Sequence, residues 1–539
     1  MGKARSSSIF AVALIGVYSP HAEARAAPPP PLGILAAMRP LAAGALVFVT
    51  SASVLVLEIL AARLLAPYVG VTLETYTAII GTILAAIALG TWVGGRLADR
   101  RDPRGLLGPI LILGGALSLS IVPIVRLVGS LPLGGGPAAV VLLVLAGFFA
   151  PAAVLSAVPP TVIKLQLSDL AETGSTVGRL SALGTAGAIF GTFATGFVLV
   201  ATLPTTPIVV GVAISLMVLG GVIVLATRRS GGGHPSGRSV VVVLAVVVPV
   251  GVLGVVVERT LNPCGRETAY YCARVLPDLE PCIGGLTLFL DTLRHSCVHP
   301  EDPQRLDFSY AQMLSDVIAA VGPDGAPLDV LHIGGGGFSL PRYLDAANPG
   351  STNLVLELDP SLVQIATDSL GLQTSTDLQV RVGDARLGIR AAADDSYDLV
   401  IGDAFGGVAV PWHLATREFV EQVDRVLRPD GTYAINLIDH PPLGFAKAEA
   451  ATLSAVFEHV AVLAPPGALT GTVGGNMILI ASHQPIDVPA ILSHNESRGD
   501  DDGILVVEKG SAFIAGAPVL TDDFAPVDQL FSPVARPIG

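Results

Sequence analysis

A multi-pass α-helical membrane domain followed by a doubly wound α/β domain is the architecture this sequence predicts, on three observations. The 539-residue chain is 51% hydrophobic and only 14% charged, whereas soluble domains carry roughly 25% charged residues. Long apolar runs fill residues 41–257, and an ordinary acidic pattern takes over from Cys264. From Leu328 onward, short β-rich runs alternate with helical periodicity, the pattern of a mostly parallel sheet with helices on both faces. The net charge of -13 excludes a nucleic-acid partner, because neutralising phosphates takes an excess of Lys and Arg. Neither zinc-ligand spacing nor a Walker loop occurs.

The chain divides into an N-terminal extension or signal-like segment (1–37), a transmembrane bundle (38–259), a cysteine-containing linker with a small β-region (260–305) and the α/β domain (306–539). In the first segment, an apolar run at 9–17 precedes a Pro-rich stretch at 28–31. It reads either as a signal peptide or as an upstream extension with Met38 as the start.

A spanning helix needs about 20 mostly apolar residues. Stretches at roughly 41–64, 75–97, 105–128, 137–163, 178–202, 206–227 and 239–257 qualify, about seven spans by that rule. Lys and Arg set the orientation. Arg96, Arg100, Arg101 and Arg104 follow the second span, Lys164 and Arg179 the fourth, and Arg228, Arg229 and Arg238 the sixth. These loops fall on one side, read as cytoplasm, so seven spans leave the C-terminal domain extracytoplasmic in the cell membrane. Residues 95–104 resemble the loop between the second and third helices of major facilitator transporters, with Asp102 where that motif carries Gly. A complete transporter of that kind has two six-helix halves, so this bundle is read as an anchor in the lipid bilayer. Glu58, Arg63 and Glu74 are the notable charges near the first two spans. Buried in a membrane they would be functional; alternatively Glu58 pairs with Arg63 near an interface and Glu74 sits in a loop.

All four cysteines, Cys264, Cys272, Cys282 and Cys297, cluster after the last span. In an extracytoplasmic segment this reads as two disulfides, most easily Cys264 with Cys272 and Cys282 with Cys297, although three connectivities exist. The rival is a four-thiolate zinc site, which usually shows C-x₂₋₄-C pairs; none occurs here.

In the α/β half, strands are expected at 328–333, 353–358, 378–382, 397–402, 432–438 and 477–481, with helices near 339–347, 360–370, 412–427 and 443–457. Ligands bind such sheets at the carboxyl ends of the strands. The first strand runs into Gly334, Gly335, Gly336 and Gly337; such a turn lets backbone approach a ligand closely, the alternative being a plain tight turn. The second ends in Glu357-Leu358-Asp359, where an acid accepts the hydroxyls of a ribose. Glu357 is assigned that part, because Asp359 precedes Pro360 and suits a helix cap. Asp384, after the third strand, accepts from an adenine amino group or caps the next helix. Asp403 ends the fourth strand, where a carboxylate beside a cofactor can take a proton from an amine. Asp439 ends the fifth and is expected to line the pocket.

Residues 288–291, the run Asp307-Phe308-Ser309-Tyr310, the glycine turn, Glu357, Asp384 and Asp403 stand in the order found in spermidine synthases (polyamine aminopropyltransferases). The resemblance covers about 284–482, and the fusion resembles bacterial members with a membrane-embedded N-terminal half. It implies a class I methyltransferase-like Rossmann domain, decarboxylated S-adenosylmethionine as co-substrate, a polyamine such as putrescine as acceptor, and a homodimer. It further implies that Gly334, Gly335, Gly336 and Glu357 hold the nucleoside, Asp384 the adenine, and Asp403 deprotonates the attacking amine. Tyr310 would shape the amine pocket, and 284–300 would form the small β-region of these enzymes. The chain departs from the family at Gly337, where an Asp is usual, at Gly406, where a second Asp is usual, and at Ala311, where a Gln is usual. Class I methyltransferases share the turn and both acids, so methyl transfer from S-adenosylmethionine is an alternative. A non-catalytic extracytoplasmic domain binding a polyamine or nucleoside is another, because fold alone does not choose.

Overall fold

The computed structural model describes residues 39–70, 73–131, 137–167, 173–230, 256–257, 260–406 and 410–531. The extension at 1–37, and the seventh expected span at 239–257 except its last two residues, lie outside these. Among the described residues six helices are long and apolar enough to cross a membrane: Pro40–Val69, Thr75–Arg100, Pro103–Gly129, Ala138–Gln166, Thr173–Thr202 and Thr205–Thr227. They hold together through small residues, as membrane helices do where lipid offers no hydrophobic drive for association. A Cβ on Gly187 would lie 2.2 Å from the Phe48 carbonyl oxygen, and one on Gly191 2.5 Å from that of Ala52. The fifth span therefore crosses the first at backbone contact. Outward-facing Leu84, Trp92, Phe190, Phe193 and Phe197 are exposed, as a lipid-facing surface requires.

One end of the bundle is tied to itself and the other end meets the C-terminal domain. Lys164 pairs with Asp99 at 2.8 Å, joining the end of the fourth span to the last turn of the second. At the opposite end of the bundle, Arg63 donates to the carbonyls of Thr268 and Ala269, and the Thr205 N–H donates to Glu267 Oε1 at 2.7 Å. The C-terminal domain thus sits on the face opposite those basic loops. Arg63 is turned to this junction rather than to Glu58, because side chains five apart on a helix do not share a face.

The segment after the bundle forms a four-stranded antiparallel sheet, β1 (Arg266–Glu267), β2 (Cys272–Leu279), β3 (Cys282–Leu290) and β4 (Leu293–Val298), in that order. Its cysteines form two disulfides, Cys264–Cys272 and Cys282–Cys297, and no four-thiolate centre.

The α/β domain runs α1 (Ser309–Val321), β5 (Asp329–Ile333), α2 (Ser339–Ala347), β6 (Thr352–Glu357), α3 (Pro360–Ser369), β7 (Leu378–Val382), α4 (Ala385–Ile389), β8 (Tyr397–Gly402), α5 (Arg417–Val426), β9 (Leu427–Asp439), α6 (Gly444–Val456), β10 (His459–Ala464), β11 (Gly475–Ser482), α7 (Val488–Ser497) and β12 (Gly503–Val507). The sheet order is β12-β10-β11-β9-β8-β5-β6-β7. Strands β5 to β9 are parallel; β11 is antiparallel to β9 and β10, and β12 to β10. Alternation along the strands builds two cores. Val330, Leu399, Ile401 and Ala434 face α1, while Leu331, Ile333, Val400 and Ile435 face α5 and α6. Strands β10 and β12 extend the sheet beyond the sequence expectation. His459–Ala464 follows α6 with no Gly or Pro between them to mark a boundary. Winding reverses between β5 and β8, which makes their carboxyl ends the topological switch point where such sheets bind ligands.

Candidate active site

The site is assembled from four adjacent strand ends. Across them, the Asp403 N–H donates to the Ile333 carbonyl at 2.9 Å, the Gly334 N–H to Leu356 at 2.9 Å, and the Gly383 N–H to Glu357 at 2.8 Å. Gly334 has φ +96° and Gly336 φ +52°, left-handed values that glycine adopts without penalty. A Cβ on Gly334 would lie 2.4 Å from the Asp403 carbonyl oxygen, so only glycine lets the turn pass the end of β8. Phe338, with φ +57° and no exposed surface, closes the turn before α2. That conformation is costly for a bulky residue and marks the kind of strain that clusters at functional sites.

A cavity of about 290 Å³, partly open to solvent, lies here, lined by Ser296, Tyr310, Gly334, Gly335 and Asp403 among others. A second space of about 440 Å³ at the junction with the bundle is lined by Arg63, Arg126, Glu267 and Asp291, and it contains neither the glycine turn nor Asp403. The strand-end cavity is the one that joins the glycine turn to Asp403.

Asp403 is half-buried and its Oδ1 accepts from Asn436 Nδ2 at 2.9 Å; Asn436 in turn accepts from Asn476 at 3.0 Å. Burial pushes the Asp403 carboxyl above its ordinary value, opposed by the nearby His295 ring and by the Asn436 hydrogen bond. Burial holds His295 below its ordinary value, opposed by the Asp403 charge. Tyr310, at the start of α1, is buried and donates through its hydroxyl to the His295 carbonyl at 3.2 Å. The small sheet covers the turn: Ser296 Oγ accepts from the Gly337 N–H at 3.0 Å, and a Cβ on Gly336 would meet the His295 ring at 2.6 Å. Tyr271, just before β2, adds a clasp, its hydroxyl donating to the Phe405 carbonyl at 3.0 Å.

Glu357 ends β6 and is buried. Its Oε2 accepts from the N–H groups of Gly335 (2.9 Å) and Gly336 (3.3 Å), and its Oε1 from that of Asp359 (2.8 Å). Burial raises its carboxyl, and those three N–H groups oppose the rise. Asp359 caps α3 through Oδ1, while its buried Oδ2 has no partner among the described residues. An orphaned carboxylate oxygen beside Glu357 fits an incoming diol, because a buried acceptor left unpaired costs about 1–3 kcal/mol. Glu357 and Asp359 therefore form a set of acceptors at the end of β6.

Two of the expected site residues have local structural partners. Asp384, assigned to an adenine, caps α4: one oxygen accepts from the Leu387 N–H at 2.9 Å and the other faces His413 Nε2 at 3.3 Å. Asp439, expected to line the pocket, is fully buried and accepts from the N–H groups of His440 (2.8 Å) and Ala446 (2.9 Å). It pins the start of α6. Three residues escaped the sequence reading: His295, Ser296 and Asn436. The last left a legible signal, a lone amide inside the apolar run of β9, since buried polar groups demand partners.

The C-terminal α/β domain is similar to spermidine synthases and to S-adenosylmethionine-dependent methyltransferases. The chain is similar to the polyamine aminopropyltransferase of Vibrio vulnificus, 35% identical over 167 residues, which is 29% of this chain and 52% of that protein. It is also similar to the human eEF1A lysine and N-terminal methyltransferase, 30% identical over 142 residues, 24% of this chain and 20% of that protein. The chain thus spans about half the length of the first relative and a fifth of the second. Among solved structures, a probable spermidine synthase from Corynebacterium glutamicum is 29% identical, with 48% of this chain and 96% of that one covered at a TM-score of 0.44. No family model matches the chain.

Proposed function

We propose that this protein is a membrane-anchored aminopropyltransferase that uses decarboxylated S-adenosylmethionine and a small amine such as putrescine. One observation carries the reading: Asp403, Tyr310 and the glycine turn line a single cavity at the switch point. The co-substrate, when bound, supplies an aminopropyl group on a sulfonium whose thioether is a good leaving group. Glu357 and the spare oxygen of Asp359 hold the ribose, with Glu357 turning from the Gly335 and Gly336 N–H groups to do so. Asp403 accepts a proton from the attacking amine as the new C–N bond forms and the C–S bond breaks, releasing methylthioadenosine. Asn436 keeps the acceptor oxygen of Asp403 aimed, and Tyr310 walls the amine end under His295. Asp384 and Asp439 are assigned no step in this scheme.

The domain is proposed to face outward, because it lies opposite basic loops that orient towards the cytoplasm. Protease added to intact cells should cleave it; full protection would contradict that side. Methyl transfer is the second reading, favoured by the match to a methyltransferase. Full-length protein in detergent, incubated with decarboxylated S-adenosylmethionine and putrescine, should yield spermidine and methylthioadenosine in equal amounts by mass spectrometry. Product only with S-adenosylmethionine selects the second reading, and binding without turnover rejects both.

A further inference from the structure

Away from the catalytic cavity, four metal-binding side chains converge: Cys282 on β3, Cys297 on β4, His299 and Asp307, with their ligand atoms all within 4.8 Å of one another. We propose that reduction of the Cys282–Cys297 disulfide opens a zinc site built from these four groups. The two thiolates, the imidazole Nε2 and the carboxylate Oδ2 would be its ligands.

Distances already on the page match this coordination. Cys297 Sγ lies 3.5 Å from His299 Nε2 and 3.6 Å from Asp307 Oδ2. Zinc bonds of about 2.3 Å to sulfur and about 2.0–2.2 Å to nitrogen or oxygen give tetrahedral edges of about 3.5–3.6 Å. His299 Nε2 and Asp307 Oδ2, now 2.7 Å apart, part to about 3.3 Å, and the sulfurs open to about 3.8 Å. Arg305 Nε already holds the other oxygen of Asp307 at 3.1 Å, leaving Oδ2 free to turn to the metal in the way outer partners orient ligands. Room is provided by Gly285: a Cβ there would lie 2.6 Å from the His299 ring and 2.8 Å from Cys282 Sγ. Its φ is not in the left-handed region, so the position is glycine for space and not for backbone conformation.

The chemistry balances with a phosphine as reductant. The phosphine is oxidised to its oxide with oxygen from water, and the two sulfurs gain two electrons and two protons. Zinc would then displace both thiol protons, and the ring hydrogen on Nε2 would move to Nδ1, leaving a neutral imidazole with its Nε2 lone pair free for the metal. The site would hold the small sheet to the start of α1 when the disulfide is open. Asp307 leads directly into that helix, and Ser339 Oγ donates to the Cys297 carbonyl at 2.9 Å, tying β4 to α2.

The test uses the full chain in detergent with Cys264→Ser and Cys272→Ser, to remove the other thiols. After phosphine reduction it should take up one equivalent of Zn²⁺ against a chromogenic chelator, and the oxidised form none. His299→Ala and Asp307→Asn should each weaken uptake at least tenfold. No stoichiometric uptake after reduction, or equal uptake by the His299→Ala chain, overturns the proposal. If the serine background does not fold, reduced wild-type chain with one equivalent of Co²⁺ gives the answer by X-ray absorption. Two sulfur and two nitrogen or oxygen ligands support the site; four sulfurs overturn it.

Discussion

Replacing Asp403 by asparagine separates the chemistry assigned to this residue from its structural part. The amide is nearly the size of the carboxylate, and its oxygen can still accept from Asn436 Nδ2, now at 2.9 Å from Oδ1. It cannot accept a proton. A positioned general base contributes about 10²–10⁴ in rate, or about 3–5 kcal/mol of barrier, so turnover should fall by that factor with little change in binding. Stability should move the other way. Burial raises the Asp403 carboxyl above its ordinary value, so between the unfolded and folded values the native state binds more protons. Stability therefore falls as pH rises through that window, and the deficit persists at neutral pH. The uncharged Asp403→Asn side chain escapes this deficit at the cost of turning a charge-assisted hydrogen bond into a neutral one, about 1 kcal/mol. The two nearly offset, so the variant should melt at or above wild type at pH 7. In wild type, kcat/KM should climb with pH as Asp403 ionises. The assay is spermidine formation by mass spectrometry, paired with thermal unfolding. Wild-type turnover in the variant refutes the proton-acceptor role, and a markedly lower melting temperature refutes the cost assigned to burying the charge.

Tyr310→Phe removes the hydroxyl bound to the His295 carbonyl; about 1 kcal/mol of stability should be lost, and steady-state kinetics should show KM for the amine rising more than kcat falls. Gly334→Ala places a Cβ 2.4 Å from the Asp403 carbonyl oxygen at φ +96°; it should cost more than ~1 kcal/mol and abolish nucleoside binding, read by thermal unfolding and calorimetry. Glu449 on α6 has no exposed surface and both carboxyl oxygens lack partners among the described residues. Burial pushes this carboxyl far up, so it is neutral in the fold and ionised in the unfolded chain. Glu449→Met should raise stability by about 1–3 kcal/mol, and circular dichroism melts should show its margin over wild type widening from pH 4 to pH 8.

What the sequence made legible follows from how each signal arises. Apolar runs mark membrane helices because the bilayer demands length and composition together. The parallel strands were readable because alternation with helices leaves few topologies. The positions of Gly334, Glu357 and Asp403 at strand ends follow from the same pattern, since winding brings those ends together. A carboxylate after a strand is nonetheless ambiguous, as Asp384 and Asp439 demonstrate. Both satisfy nearby backbone N–H groups, and sequence does not say whether a helix end or a ligand will claim the oxygen. His295 and Ser296 were invisible for another reason. Their contact with the glycine turn, some 41 residues away, exists only once β4 folds over it. Tyr310 was identified through the resemblance alone, because nothing local in α1 distinguishes it from a core tyrosine.

Calorimetric titration of the full-length protein in detergent with decarboxylated S-adenosylmethionine tests the central claim most directly. Saturable binding of one equivalent, weakened about tenfold by Glu357→Gln, a loss of about 1.4 kcal/mol, is the predicted result. No heat from either this nucleoside or S-adenosylmethionine, or binding untouched by Glu357→Gln, would contradict it.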